Sequence, residues 1–204
     1  MISVIAGVNG AGKSSVVGSS FRKKGVPYFN PDEKAQALLA ENPKLELAEA
    51  NGLAWTYGFQ LLTQSVSDNL EFIFETTLGG NSVPEKLHEA ADAGQGLGII
   101  FCGLESPELH MDRVKARVKR GGHDIPEEKI RARWTRSISN MAMLIPKCQH
   151  VKVYDNSCPL IDGKPKPILL FSMNQGRFKS QPIKDMPNWA KPLAAVAIET
   201  HNSQ

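Results

Sequence analysis

Ile5-Ala-Gly-Val-Asn-Gly-Ala-Gly-Lys-Ser-Ser15 is the stretch whose reading decides the fold. Gly7 to Ser14 matches G-x-x-x-x-G-K-[ST] at every fixed position. Its flanks supply the matching context. Ile2–Ala6 is a short, largely β-branched run that suits a buried parallel strand. Lys13–Lys24 reads as a helix that Gly25 stops. Glycines let backbone N–H groups turn inward around phosphate oxygens without side-chain clash, and the helix that follows adds its positive end. The spacing therefore predicts an ATP-binding loop made by Gly7, Asn9, Gly10, Ala11, Gly12, Lys13, Ser14 and Ser15. Lys13 is expected to bridge the β- and γ-phosphates, and the Ser14 hydroxyl to ligate Mg²⁺.

Outward from the loop, strand and helix patterns alternate. Val26–Phe29 reads as a second strand, and Pro31 opens a helix in NPDEKAQALLAEN. Leu45–Asn69 is helical by the spacing of Leu53, Tyr57, Leu61 and Leu62. LEFIFE, Leu70–Glu75, is a strand, Val83–Ala93 a helix, and GLGIIFCGL the next strand. Helices follow from about Pro107 to Arg120 and from about Pro126 to Leu144, with His150–Tyr154 as a fifth strand. The tail holds a hairpin in ILLFSMNQGRF and a short helix near Trp189–Ile198. This order predicts an α/β, three-layer P-loop NTPase fold with a mainly parallel sheet of five to six strands, flanked by helices. A single kinase-like domain over 1–204 is expected, with a helical lid at about 107–136 and a C-terminal extension at about 163–204.

Composition narrows the class. Of 204 residues, 41% are hydrophobic and 22% charged, as in a globular protein with a core of its own. No run approaches the roughly 18–20 apolar residues that span a membrane. MISVIAGVNG has no basic region before its apolar run, so no signal peptide is expected. The three cysteines have no metal-like spacing and read as free thiols, which places the protein in a reducing cytoplasm.

Three further constellations bear on chemistry. In FNPDEKA, Asp32 and Glu33 follow the second strand, at the sheet edge where the loop's phosphates lie. A carboxylate there can take the proton of an attacking hydroxyl; helix capping by Asn30, with acids in the first turn, explains the same residues equally well. In FIFETTLGG, Glu75, Thr76 and Thr77 offer a carboxylate and two hydroxyls at that edge, suited to a Mg²⁺ shell or a polyol. From His110 to Arg136, nine Lys/Arg face four Asp/Glu, a local excess of +5 against +3 for the whole chain. Arg113, Arg117 and Arg120 share one helical face, and Arg133, Arg136 and Asn140 lie beside the stripe Ile130, Trp134, Ile138, Met141. Two arginine-bearing helices joined by Gly121-Gly122 read as a lid over a transferring phosphate.

Taken together, GVNGAGKSS, FNPDEKA, ETTLGG, RVKRGGHDIPEEKIRARW and YDNS resemble the zeta-toxin (PezT-like) family of P-loop kinases, in the bacterial branch described as predicted ABC-type ATPases. The resemblance covers about Met1 to Ser157. It implies ATP- and Mg²⁺-dependent phosphorylation of a hydroxyl on a UDP-activated sugar, typically UDP-N-acetylglucosamine. By position Asp32 resembles the family's catalytic base, Lys13 its phosphate lysine, and Glu75 with Thr77 its substrate- and magnesium-side residues. Arg117 resembles the first of two lid arginines. His123 stands where the second would fall, and Arg120, Arg131 or Arg133 is left to supply that charge. An antitoxin protein is a partner the resemblance brings with it. Two alternatives stay open: a kinase of a nucleoside, nucleotide or polynucleotide end, and an ATP-hydrolysing switch module with no small-molecule acceptor. A nucleic-acid partner is not favoured, because no aromatic stacking platform is seen beside the basic helices.

Overall fold

The computed structural model describes residues 1–18, 21, 23, 25–119, 122, 124–159, 166–175 and 177–203. Its frame is a six-stranded sheet of β1 (Ile2–Ala6), β2 (Phe72–Thr76), β3 (Leu97–Gly103), β4 (His150–Asp155), β5 (Ile168–Asn174) and β6 (Arg177–Ser180). The order across the sheet is β2-β1-β3-β4-β5-β6. β1 pairs in parallel with both β2 and β3, and β3 in parallel with β4, whereas β5 and β6 are antiparallel additions. The tail thus extends the sheet beyond its parallel half.

Among the described residues six α-helices flank this sheet: α1 (Pro31–Glu41), α2 (Leu47–Ser67), α3 (Ser82–Asp92), α4 (Pro107–Val118), α5 (Glu127–Leu144) and α6 (Lys191–Asn202). The main core lies on one sheet face, where Ile2, Val4, Ile99, Phe101, Val151 and Val153 meet Leu62, Leu87, Met141, Leu144 and Leu193. On the other face Ile5 and Cys102 pack with Ala11 and Val17 of the loop and the turn after it. β1 is therefore buried on both faces, which explains its unbroken apolar reading. Among the described residues no helix is long and apolar enough to cross a membrane.

One sequence expectation is corrected, and one is only partly described. Val26–Phe29 is not a strand: it contributes an isolated parallel bridge, Phe29 to Phe74. Phe29 N–H donates to Ile73 O at 2.8 Å and Phe29 O accepts from Glu75 N–H at 2.8 Å. Pro27 has no N–H to offer a ladder, and Asn30 turns away at once to cap α1, so no second pair forms. The helix expected over Leu45–Asn69 is α2, and its buried face is made of small residues. Leu53, Trp55 and Tyr57 are about half exposed, and the buried stripe is Ala50, Ala54, Gly58, Leu62 and Ser65. Small residues bring α2 close to its neighbours: Ala50 and Ala54 pack on Ala35 of α1, and Gly58 receives the Phe29 ring. The helix expected over Lys13–Lys24 is described as a π-helical segment, Ser14–Gly18, with 19, 20, 22 and 24 outside the described residues.

The two glycines of α2 should respond to alanine in opposite ways. A Cβ on Gly58 would lie 2.3 Å from Phe29 Cε1, whereas one on Gly52 would meet nothing within 4 Å. Overpacking costs about 1–3 kcal/mol against a helix-propensity gain of about 1 kcal/mol. Urea denaturation should show Gly58→Ala less stable by roughly 1–2 kcal/mol, and Gly52→Ala more stable by about 0.5–1 kcal/mol.

Candidate active site

The carboxyl ends of the parallel strands converge on the glycine loop. Gly7 has φ 139° and Gly12 φ 85°, in the region side chains avoid. Space forbids a side chain as well: a Cβ on Gly7 would fall 2.1 Å from Cys102 O, and one on Gly12 2.5 Å from Asn156 Nδ2. The loop is braced from three sides. His110 Nδ1–H donates to Asn9 O at 2.8 Å, and Asn156 Nδ2 donates to Ala11 O at 3.0 Å. Arg113 fixes the Asn156 segment by donating to Asn156 O at 2.6 Å and Cys158 O at 3.2 Å. The third brace is Arg133 Nη1, which donates to Asn9 Oδ1 at 2.8 Å.

Glu75 is the centre of the site. Its carboxylate accepts from Ser14 Oγ at 2.9 and 3.2 Å and from Asn30 Nδ2 at 3.4 Å. Lys13 Nζ lies 3.4 Å from Glu75 Oε1, with both side chains at least nine-tenths buried. A buried carboxylate needs this many partners, because an unpaired charge out of water is strongly unfavourable. Asn30 serves twice, since its Oδ1 caps α1 by accepting from Asp32 N at 2.9 Å and Glu33 N at 3.4 Å. Capping and the site are one structure here, rather than rival explanations of NPDE.

A cavity of about 800 Å³ opens beside this centre, lined among others by Asp32, Glu75, Thr76, Thr77 and Arg133. The Thr76 and Thr77 hydroxyls accept from Leu78 N at 3.2 Å and Gly79 N at 3.3 Å, closing the turn after β2. That turn holds Leu78 at φ 53°, an unfavourable region for leucine. α5 enforces it. Ser137 Oγ donates to Thr77 O at 2.6 Å, and Asn140 Nδ2 donates to Leu78 O at 2.6 Å and Gly80 O at 2.9 Å.

The basic helices divide. Arg117 Nη1 comes within 3.8 Å of Asp32 Oδ2. Arg133 sits against the cavity; burial lowers its pKa and the Asp32 carboxylate opposes that shift. Arg131, a candidate for the second lid charge, is more than half exposed and ion-paired with Glu108 at 2.6 Å, away from the cavity lining. Its helical position turns it toward α4 rather than toward β2. Arg120 and His123 lie outside the described residues. Asn140, grouped by sequence with the basic face, is instead a buried clamp on the β2 turn. The bracing roles of Asn9, His110 and Asn156 were also not legible beforehand, because a polar residue in a loop carries no periodicity; only the strand-end position of YDNS hinted at Asn156. Cys102 is no nucleophile, as burial pushes its thiol up to about 12.

His110 makes loop bracing measurable. Burial lowers its pKa to about 4 from an ordinary 6.5; the Asn9 hydrogen bond opposes this, and the Lys13 and Arg113 charges add to it. Between those values the unfolded chain takes a proton that the folded ring refuses. The resulting stability is fully present above about 6.5 and is lost as pH falls toward 4. Denaturation across pH 7 to 4 should show His110→Gln with a flatter profile, the wild type losing up to about 3 kcal/mol from this group.

Four likenesses to known proteins accompany this geometry. Residues 1–162 match the family model described as Zeta toxin. An uncharacterized protein of Haemophilus influenzae is 31% identical over 129 residues, which are 63% of this chain and 88% of that protein. Among solved structures, the AvrRxo1-ORF1:AvrRxo1-ORF2 complex aligns with TM-score 0.62 at 14% identity over 97% of this chain, which spans 63% of the length of that one. The PezAT chromosomal toxin-antitoxin system of Streptococcus pneumoniae aligns with TM-score 0.57 at 13% identity, over 99% of this chain and 85% of that one. At such identities the structures establish the shared fold, and the family match, spanning loop, Asp32, Glu75 and α4–α5, establishes kinship. The chain belongs to the Zeta toxin family of P-loop kinase-fold proteins.

Proposed function

We propose that the protein is an ATP-dependent kinase that transfers the γ-phosphate to a hydroxyl of a UDP-activated sugar such as UDP-N-acetylglucosamine. The observation that carries this reading is the joining of donor and acceptor groups. Glu75 touches Lys13 and Ser14 of the phosphate loop and also lines the cavity that holds Asp32. An ATP-hydrolysing switch has no need of a cavity of about 800 Å³ ending at the phosphates, whereas a bulky acceptor does. The uridine sugar itself rests on the family resemblance.

In this reading Lys13 exchanges Glu75 for the β- and γ-phosphate oxygens when ATP enters. Asp32 accepts the proton of the acceptor hydroxyl as its oxygen bonds to the γ-phosphorus. The bond from phosphorus to the bridging oxygen breaks, and ADP leaves with that electron pair. Arg117 and Arg133 place guanidinium charge beside the equatorial oxygens of the transferring group. The donor set fits Mg²⁺: Ser14 Oγ and the Glu75 carboxylate already lie together at 2.9 Å. Among the described residues no cluster of three or more His, Cys, Asp or Glu could hold a metal by itself. That agrees with an ion kept largely by phosphates and water, with one or two protein oxygens. When bound, Mg²⁺ neutralises charge on the phosphates and orients them. An antitoxin protein is proposed as partner, in parallel with the toxin-antitoxin system among the structural neighbours. ATP as donor likewise parallels the AvrRxo1 structure solved with ATP.

The direct test combines purified protein with ATP, Mg²⁺ and a panel of UDP-sugars, and measures ADP together with the phosphorylated sugar. Acceptor-dependent ADP release is expected, absent in Lys13→Ala. Asp32→Asn should lower kcat by at least about 100-fold, the usual worth of a general base, with ATP affinity nearly kept. ADP release that no acceptor changes would overturn the transferase reading. A steep loss of oligonucleotide binding with salt would favour a polynucleotide acceptor instead.

A further inference from the structure

One wall of the cavity takes no part in the phosphate chemistry. It is a face of α2 that carries Asn51, Gly52, Trp55 and Phe59. Trp55 is 50% exposed, and its ring stacks on Phe59 with centroids 5.3 Å apart and planes 5° apart. Phe59 therefore covers one face of the indole and holds it flat, while the other side of the side chain stays open. Beside it, Gly52 is a helix-interior glycine with nothing within 4 Å of where its Cβ would stand. A glycine there weakens the helix, and no packing neighbour accounts for it, in contrast to Gly58 against Phe29. An uncovered aromatic face next to a missing side chain makes a flat slot. Asn51, one turn earlier on the same wall, adds an amide that can both donate and accept at the edge of a ring.

We propose that Trp55 and Gly52 form the subsite for a planar heterocyclic ring of the acceptor, and that this slot selects nucleotide-linked acceptors over free sugars and sugar phosphates. The inference rests on the kinase reading above and adds the residues that determine its specificity. Ring stacking on an indole already fixed by Phe59 orders little that was free before, so it contributes affinity efficiently. Lys129 and Arg133 line the same cavity and supply positive charge for a diphosphate joining that ring to the sugar.

The experiment uses the full chain with its ATP site filled by a non-hydrolysable ATP analogue. Calorimetry then measures binding of UDP and of N-acetylglucosamine 1-phosphate, which lacks the base. Trp55→Ala should weaken UDP by roughly tenfold or more, the usual effect of losing a stacking platform. Trp55→Phe should stay within about threefold, because a stacking face remains. Neither should move the sugar phosphate. Gly52→Leu should weaken UDP while its Tm stays level or rises, which separates slot filling from unfolding. UDP affinity unmoved by both Trp55→Ala and Gly52→Leu overturns the slot, and if the wild type still phosphorylates UDP-sugars the kinase reading stands without it. A wild type that binds no UDP but phosphorylates the base-free sugar phosphate overturns the slot and the UDP-sugar assignment together.

Discussion

The Glu75 carboxylate, buried at the end of β2, is the constraint around which the site is arranged. It draws together three segments far apart in sequence: Lys13 and Ser14 after β1, Asn30 before α1, and its own strand. Each partner has a second duty. Lys13 and Ser14 belong to the phosphate loop, and Asn30 caps the helix that carries Asp32. Burying this acid would be costly unless all three were present. Correct placement of the general-base candidate and of the phosphate lysine is thus tied to one electrostatic requirement. The pairing occupies Lys13; under the proposed kinase reading a triphosphate, with more charge and more acceptor oxygens than one carboxylate, displaces Glu75 from it.

The helices α4 and α5 act less as a detached lid than as a wall built into the loop. Met111, Val114, Ile125 and Ile130 share a buried cluster with Val8 of the glycine loop, with Trp134 packed against it. Apolar burial holds these helices in place, and the exposed pairs Lys115–Glu127 and Arg131–Glu108 add little, because solvent screens surface ion pairs. Arg133 leaves the same helix to reach Asn9, and two further turns on Asn140 grips the β2 turn. One helix therefore registers the glycine loop against the turn after β2.

What sequence revealed follows from how each feature is encoded. The parallel strands were legible because both faces are buried, which leaves a continuous apolar run such as Ile2–Ala6. The glycine loop was legible because its backbone admits few residue types. Phe29 was misassigned as a strand because one bridge and a full strand share the same short apolar signal; the missing donor at Pro27 was the available warning. The inward face of α2 is not legible in the sequence, because alanine and glycine carry almost no hydrophobic signal, while the half-exposed Leu53, Trp55 and Tyr57 do. Among the arginines, Arg131 and Arg133 are two residues apart on one helix, and only three-dimensional placement separates a surface ion pair from a cavity wall.

Nor is an aromatic platform beside the basic helices legible in the sequence. Trp55 lies 78 positions before Arg133 in the chain, and nothing local to either suggests that they share a cavity. The fold brings them together because α2 packs closely enough for Gly58 to accept Phe29, and α5 closely enough for Gly79 to touch Arg133. A Cβ on Gly79 would lie 2.6 Å from Arg133 Cγ, so the turn after β2 and the arginine are in direct van der Waals contact. Small residues at both helix contacts thus set the width of the cavity. Acids at its floor, arginine on one wall and an indole on the other are the groups to which the proposed reading assigns proton transfer, phosphate charge and ring recognition.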